Sequence, residues 1–190
     1  QDLTSRCGSI VNDNEQTIRS QLSRNGAEVI HGTGGLVDQN TVRVKNCKKE
    51  QQMSAEFVVI ATGTRPFRPK GFEFDGVAVH DSDTVLHMKE LPRSLTVVGG
   101  GVIGCEYGSM FAALGIKVTI VEARSSLLGF VDHELTDTLA YKLREQKVSI
   151  VLNDKVVRCK RSPDGRAVTY LESGKRIVSD MMLVSADRSG

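Results

Sequence analysis

Three glycines and one acid carry the chemistry that this sequence offers. Gly99, Gly101 and Gly104 stand in a G-x-G-x-x-G spacing, and Glu122 follows 18 residues beyond the last of them. Gly99 permits a tight turn, and Gly101 has no Cβ to hold an approaching phosphate off the backbone. Gly104 lets a helix pack closely. Gly100, Val102 and Ile103 complete the turn and the first helical positions. There the N–H groups lack intrahelical partners and carry the positive end of the dipole, which suits a diphosphate. A carboxylate at the end of the next strand can accept both hydroxyls of an adenosine ribose. Taken alone, Glu122 reads equally as a solvated strand-end acid. Arg124 lies two residues further on. Its guanidinium suits a 2′-phosphate on that ribose, and it reads equally as a solvated loop charge.

Such residues need a strand, a helix and a second strand to position them. Leu95 to Val98 is short, apolar and rich in β-branched residues. A helical pattern then sets Ile103, Tyr107, Met110, Phe111 and Leu114 on one face, Gly115 stops it, and Lys117 to Val121 alternates as a strand. Asp132 caps a second helix reaching Glu145, with Leu135, Leu139 and Leu143 on one stripe, and Val148 to Leu152 supplies a third strand. Val156–Arg161, Ala167–Leu171 and Lys175–Val178 are split by turn residues, which predicts an antiparallel meander, and Met181 to Ser185 is a last buried strand. The fold class is α/β: a Rossmann-like βαβαβ parallel sheet with a three-stranded antiparallel meander.

Upstream, residues 1 to 25 read as a mostly polar helix with Val11, Ile18 and Leu22 on one face, ended by Asn25-Gly26. Strands are expected at Glu28–His31, Gly35–Val37 and Thr41–Val44, with a polar turn region from Lys45 to Met53. Phe57 to Ala61 is wholly apolar, as a central strand would be, and runs into Thr62-Gly63-Thr64-Arg65-Pro66. Pro66, Pro69 and Gly71 mark a connector. Asp81-Ser82-Asp83 offers capping side chains for a short helix through Met88, and Leu91-Pro92 ends it. The expected organisation is a first segment at 1–70, a connector at 71–93 and a domain at 94–190.

The totals exclude several classes. A net charge of +2 with no long basic or acidic run gives no nucleic-acid or membrane surface. No apolar segment is long enough to span a bilayer, and the start has no signal-peptide pattern. With 190 residues and no initiator Met, the chain reads as an internal piece of a longer protein. Cys7, Cys47, Cys105 and Cys159 lie far apart, which argues against a metal site or local redox disulfide and for a reducing, cytoplasmic compartment. No Ser/His/Asp nucleophile set or paired acid–base carboxylates suggest chemistry of the chain's own.

Three stretches line up in order: Ile60-Ala61-Thr62-Gly63-Thr64-Arg65-Pro66, the glycine unit, and Leu183-Val184-Ser185-Ala186-Asp187-Arg188. This order resembles the pyridine nucleotide–disulfide oxidoreductase group of flavoproteins. Asp81-Ser82-Asp83 and the run from Gly101 to Tyr107 look similar to the transhydrogenase branch of that group. The resemblance implies that Gly99 to Gly104 and Glu122 hold NAD(P), with Ala186 and Asp187 beside the nicotinamide ribose. It also implies that Thr62 and Gly63 turn at the edge of a flavin domain, close to FAD, so that 1–70 is a strip of a split FAD domain. Glu106 matches the acid of G-x-G-x-x-G-x-E, which in the group faces the nicotinamide–isoalloxazine contact. By position alone it is a polar residue on a first helical turn, where acids are favoured. Relatives usually carry Gly where this chain has Asp187, and disulfide reductases often carry an aromatic gate where it has Val102.

The activity that the resemblance implies is hydride transfer between NADPH and NAD through FAD, in a whole protein that is a homo-oligomer. The present chain is expected to bind a pyridine nucleotide without turning over. Three alternatives stay open. One is a disulfide reductase of the same group, with a C-x-x-x-x-C pair upstream. Another is a non-catalytic nucleotide-sensing module. The third, an S-adenosylmethionine-dependent methyltransferase, shares the glycine turn and strand-end acid but is disfavoured by the meander and the Ala61-Thr62-Gly63 turn.

Overall fold

The computed structural model describes residues 2–47 and 49–190. Gln1 and Lys48, which fall in the expected first helix and polar turn, lie outside the described residues, as does the side chain of Cys7. The chain forms two compact units, divided between Ala61 and Thr62.

In the first unit, helix α1 (Asp2–Arg24) precedes three strands, β1 (Thr33–Leu36), β2 (Thr41–Lys45) and β3 (Glu50–Ser54). The strands pair antiparallel in the order β1-β2-β3. Three expectations change here. Glu28–His31 is not a strand, and the polar stretch read as a turn contains β3. Register explains the second: β2 alternates and needs a partner along its other edge, which even Glu50-Gln51-Gln52 provides, because ladder bonds use backbone groups. Phe57 to Ala61 is also not a strand. Among the described residues no neighbour pairs with it, and Phe57, Val59 and Ile60 are exposed. An apolar run signals burial, but a strand requires a ladder partner.

The second unit is organised around a five-stranded sheet. Its strands are β5 (Val79–Asp81), β6 (Ser94–Val98), β7 (Lys117–Val121), β8 (Ser149–Val151) and β12 (Met181–Val184). A two-residue strand β4 (Arg65–Pro66) precedes them. The order is β5-β12-β6-β7-β8, with all pairs parallel. Helix α2 (Val102–Ala113) joins β6 to β7, and helix α3 (His133–Glu145) joins β7 to β8, which is the expected βαβαβ run. Strands β9 (Val156–Arg161), β10 (Ala167–Leu171) and β11 (Arg176–Ser179) form the antiparallel meander, and β13 (Arg188–Ser189) pairs with β4.

The sheet is apolar on both faces, as a parallel sheet covered on both sides must be. One face packs Leu95, Val97, Val118, Ile120 and Leu183 against the α2 and α3 residues Cys105, Phe111, Ala140 and Leu143. The other packs Val79, Val98, Val121, Met182 and Val184 against Val156, Cys159, Ala167 and Leu171 of the meander. Each fully buried aliphatic side chain contributes roughly 1.5–3 kcal/mol.

The helix faces differ from those expected. In α2, Gly104, Cys105, Gly108 and Phe111 are buried, whereas Met110 and Leu114 are exposed. A Cβ on Gly108 would lie 2.9 Å from Ile120 Cδ1, so small residues set the close approach of helix and sheet. In α3 the buried residues are Thr136, Ala140 and Leu143, leaving Leu135 exposed. Asp132 caps α3 as expected, its carboxylate accepting the Glu134 N–H at 2.9 Å.

The stretch 71–93 is not merely a connector, because Val79–Asp81 is the edge strand β5 and pairs with β12. Ala78 and Val79 are buried, and Asp75 accepts the N–H groups of Val77, Ala78 and Val79 at 2.8–2.9 Å. The short helix that follows is a 3₁₀ turn at Thr84–His87. Asp81 caps its entry, accepting from the N–H groups of Asp83 (3.1 Å) and Thr84 (2.7 Å).

Candidate functional site

All five parallel strands present their carboxyl ends to one edge, where ligand crevices of open α/β sheets form. A cleft of about 480 Å³ opens there, lined by Gly99, Gly101, Glu122, Arg124 and Ala186 among others. Five of the residues singled out in sequence therefore share one wall system.

The glycine turn is built by exclusion. Gly99 takes φ +101°, and a Cβ on it would lie 2.8 Å from the Ser185 carbonyl. A Cβ on Gly104 would lie only 1.9 Å from the Gly99 carbonyl oxygen, so the helix start rests directly on the turn. Gly101 contrasts with both, since nothing lies within 4 Å of its missing Cβ. The backbone there faces open space at the first turn of α2, whose first hydrogen bond runs from the Cys105 N–H to the Gly101 carbonyl at 3.0 Å. Gly100 is buried under the turn and packs against Leu127 and Glu122.

Glu122 does more than end a strand. One carboxylate oxygen accepts the Gly100 N–H at 2.6 Å and the other accepts the Arg124 N–H at 2.8 Å. It thus ties the glycine turn to the loop after β7. Arg124 is exposed, and its side chain runs beside Gly129, with Cδ 3.4 Å from where a Cβ would stand.

Other candidates lie elsewhere. Val102 is exposed and Ile103 half-buried on the first turn of α2. Glu106 is exposed on the same helix and does not line the cleft. Asp187 is exposed too, its carboxylate accepting the Arg188 N–H at 2.8 Å, and it does not line the cleft either. Its carbonyl accepts the Phe67 N–H at 2.9 Å. Thr62 and Gly63 lie outside the cleft wall, beside the pairing of β4 with β13.

Several lining residues were not read in sequence as site residues: Phe67, Pro69, Phe72, Asp154, Lys155 and Ser185. Ser185 immediately follows β12, and Asp154 and Lys155 lie three and four residues past β8, so the strand-end rule applied to every strand would have pointed to them. Nothing in the sequence places Phe67, Pro69 and Phe72 over this edge. Ser185 stitches the turn to β12, with its hydroxyl donating to the Val98 carbonyl at 2.9 Å and its N–H to the same carbonyl at 2.9 Å. Arg188 clamps the segment leading to Phe67. Its Nε donates to Thr64 Oγ1 (2.8 Å), Nη2 to the Thr64 carbonyl (2.9 Å), and Nη1 to Ser82 Oγ (2.9 Å) and Asp83 Oδ1 (3.0 Å).

Neither thiol near these elements is poised to react. Burial, with the Glu122 and Glu106 carboxylates, pushes Cys105 up to about 11. Among the described residues no cluster of His, Cys, Asp or Glu could hold a metal ion. No helix of the described residues is long and apolar enough to cross a membrane.

A parallel sheet whose glycine turn feeds a helix and whose next strand ends in an acid defines a Rossmann-like α/β fold. The chain belongs to the pyridine nucleotide-disulphide oxidoreductase family, which matches residues 3–188. It is 41% identical to a soluble pyridine nucleotide transhydrogenase of Mycobacterium bovis, covering 100% of this chain and 41% of that protein. It is 37% identical to the protein of the same name from Photobacterium profundum, over 95% of this chain and 39% of that one. The chain thus spans about two fifths of the length of these relatives. Among solved structures, the HOCl-induced flavoprotein disulfide reductase RclA of Escherichia coli superposes with TM-score 0.84 at 31% identity, over 98% of this chain and 42% of that one. LpdA of Mycobacterium tuberculosis shares the fold, with TM-score 0.90 at 22% identity, over the same shares of the two chains.

Proposed function

We propose that this chain is the pyridine-nucleotide-binding part of an FAD-dependent oxidoreductase that passes hydride between NADPH and NAD. The observation that carries the reading is the open face of Gly101 in the same cleft as Glu122 and Arg124. In it a diphosphate meets bare backbone, while Gly99 and Gly104 keep the turn tight. The first-turn N–H groups of Val102, Ile103 and Gly104 would hold the pyrophosphate. Glu122 would face the adenosine ribose, and Arg124 a 2′-phosphate on it. Ala186 and Asp187, just past β12, would border the nicotinamide end. In the whole protein the flavin would supply the two-electron chemistry, and the residues here would bind and orient the nicotinamide. Glu106, exposed one helical turn beyond Val102, is assigned to the nicotinamide–flavin contact, and Thr62 and Gly63 to the flavin side. Residues 1–70 are read as a strip of the flavin domain, and 94–190 as the nucleotide domain.

Calorimetric titration of the chain with NADH and NADPH tests the binding reading. Saturable binding of both supports it, and binding of neither overturns it. A second reading, a flavoprotein disulfide reductase, is favoured by the 31% identity to RclA. Assay of the whole protein separates the two readings. NADPH-to-NAD hydride transfer without a disulfide substrate supports the first, and NADPH-dependent reduction of a disulfide without such transfer supports the second.

A further inference from the structure

Four charged side chains line the cleft: Glu122, Arg124, Asp154 and Lys155. Their formal charges cancel, but their bonding does not. Both oxygens of Glu122 are taken by backbone N–H groups. Both oxygens of Asp154 are also taken: Oδ1 accepts the Ser173 N–H at 3.2 Å and Oδ2 the Ser173 hydroxyl at 2.6 Å. Asp154 is buried, whereas Arg124 and Lys155 are exposed. Neither cation's side chain has a hydrogen-bond or ion-pair partner among the described residues. Each oxygen of the two anions already accepts a hydrogen bond, whereas the two cations have no side-chain partner among the described residues.

The two cations are also held together by backbone. The turn after β8 folds against the loop after β7: the Asn153 N–H donates to the Arg124 carbonyl at 3.0 Å and the Asp154 N–H to the Glu122 carbonyl at 3.3 Å. From the other side the meander fixes the same turn, since the Glu172 N–H donates to the Lys155 carbonyl at 2.8 Å. Lys155 is thus presented by a turn braced at both ends, with its ammonium free to move on a flexible stem.

We propose that Lys155 is a second cation for the 2′-phosphate of NADP(H), acting with Arg124 and positioned by the Asp154–Ser173 brace. The inference rests on the nucleotide-binding reading above and adds to it a specificity determinant on a different element. A 2′-phosphate carries close to two negative charges and three strong acceptor oxygens, so one guanidinium leaves it under-neutralised. Arg124 supplies a planar fork and Lys155 a mobile point charge, a complementary pair for a group that must also be released. The dinucleotide lacking that phosphate gains nothing from Lys155, so the residue acts on selectivity.

The test is titration of the chain with NADPH and NADH, and with 2′,5′-ADP and 5′-AMP as half-molecule probes, for wild type, Lys155→Met and Lys155→Arg. Lys155→Met is expected to lower the NADPH-to-NADH affinity ratio about tenfold, on the scale of one charge-assisted contact. The same ratio should fall for 2′,5′-ADP against 5′-AMP, and Lys155→Arg should restore most of it. The wild-type preference for 2′,5′-ADP should weaken as salt is raised, and less so in Lys155→Met. Equal losses for both nucleotides, or no change in the ratio, would overturn the proposal while leaving nucleotide binding intact. Wild-type protein that binds none of the four ligands overturns both. Because Lys155 is exposed, thermal unfolding of the variants is expected to match wild type, which separates a selectivity effect from misfolding.

Discussion

Glu122 and Gly100 are joined by a 2.6 Å hydrogen bond, the carboxylate accepting the backbone N–H from the middle of the glycine turn. With its other oxygen on the Arg124 N–H, the acid serves as a brace for the turn before it meets any ligand. Each oxygen keeps a lone pair for a ribose hydroxyl, so bracing and binding coexist. Replacement by Gln offers one acceptor oxygen and one NH₂ to two N–H donors, so one donor is left facing another. Glu122→Gln is expected to destabilise the chain by about 1–3 kcal/mol in urea unfolding, the cost of a lost charge-assisted bond at a partly buried site. It should also raise the NADPH-to-NADH affinity ratio, because the carboxylate nearest the ribose is gone. Unchanged stability would show that the brace is not formed in solution.

Gly101 and Gly104 occupy one fingerprint and answer to different demands. With nothing within 4 Å of its missing Cβ and an ordinary φ of −77°, Gly101 should accept Ala with little loss of stability. The added methyl then stands where the phosphate must approach, so Gly101→Ala is expected to weaken both nucleotides at least tenfold. Gly104→Ala places a methyl 1.9 Å from a backbone oxygen that cannot swing aside, so the helix must lift off the turn. That variant should lose several kcal/mol of stability, on the scale of severe overpacking. The two variants, compared by thermal melts and titration, separate binding from folding. A Gly101→Ala protein that binds normally would falsify the role given to that position.

How far the sequence revealed this arrangement depends on the range of the interaction. The βαβαβ run, the α3 cap at Asp132 and the two outer turns of the meander are local, written in spacing and capping chemistry, and they appear where expected. The glycine turn and Glu122 were legible because their spacing is fixed by a single supersecondary unit. The faces of α2 and α3 were not, because Gly104, Gly108 and Ala140 are buried for their smallness, and a hydrophobic count passes over them. Val79–Asp81 escaped notice because three residues carry too little periodicity, and its strand character comes from β12, about a hundred residues later. Phe57 to Ala61 shows the reverse error, an apolar run with no ladder partner among the described residues. Lys155 and Ser185 entered the cleft through the sheet order, which joins strands far apart in the chain.

Asp81 is the most buried of the paired carboxylates, and it accepts Arg68 Nε at 2.8 Å and Nη2 at 2.6 Å besides the N–H groups of Asp83 and Thr84. Burial pushes its pKa up, but the Thr84 N–H, Arg68, the Thr84 hydroxyl and the Asp83 N–H together outweigh burial and hold the pKa below the usual carboxylate range. A folded-state value below the unfolded one adds stability that is present above the unfolded value, near 3.9, and lost as pH falls through the folded one. Acid unfolding of wild type should therefore steepen below about pH 4, and Asp81→Asn should flatten that limb. At neutral pH the same variant is expected to cost about 1–3 kcal/mol, since an amide at this buried position presents an NH₂ to one of the donors that the carboxylate accepted, while the exposed Arg68 stays solvated. Equal acid limbs for the two proteins would argue that Asp81 is not the group being titrated.

The buried thiols set the alkaline limit in the opposite sense. Burial, then the Glu122 and Glu106 carboxylates, pushes Cys105 to about 11. Burial, then Asp75 and Glu73, pushes Cys159 to about 12. Cys105 also donates its S–H to the Gly100 carbonyl at 3.5 Å, so the neutral thiol is the form that supports the glycine turn. An unfolded thiol ionises near 8.5. The stability these groups confer is thus whole below that pH and drains away as pH rises through the folded values, because the unfolded chain releases its protons first. Urea unfolding at pH 8, 9 and 10 should show a falling midpoint, and the Cys105→Ala, Cys159→Ala double variant should show a shallower fall. In the folded chain at pH 8, iodoacetamide should label Cys47, which is exposed, and spare Cys105 and Cys159 until urea is added. Early labelling of Cys105 would mean that the glycine turn opens readily, and it should then slow when nucleotide is bound, since a ligand that binds the closed turn suppresses opening.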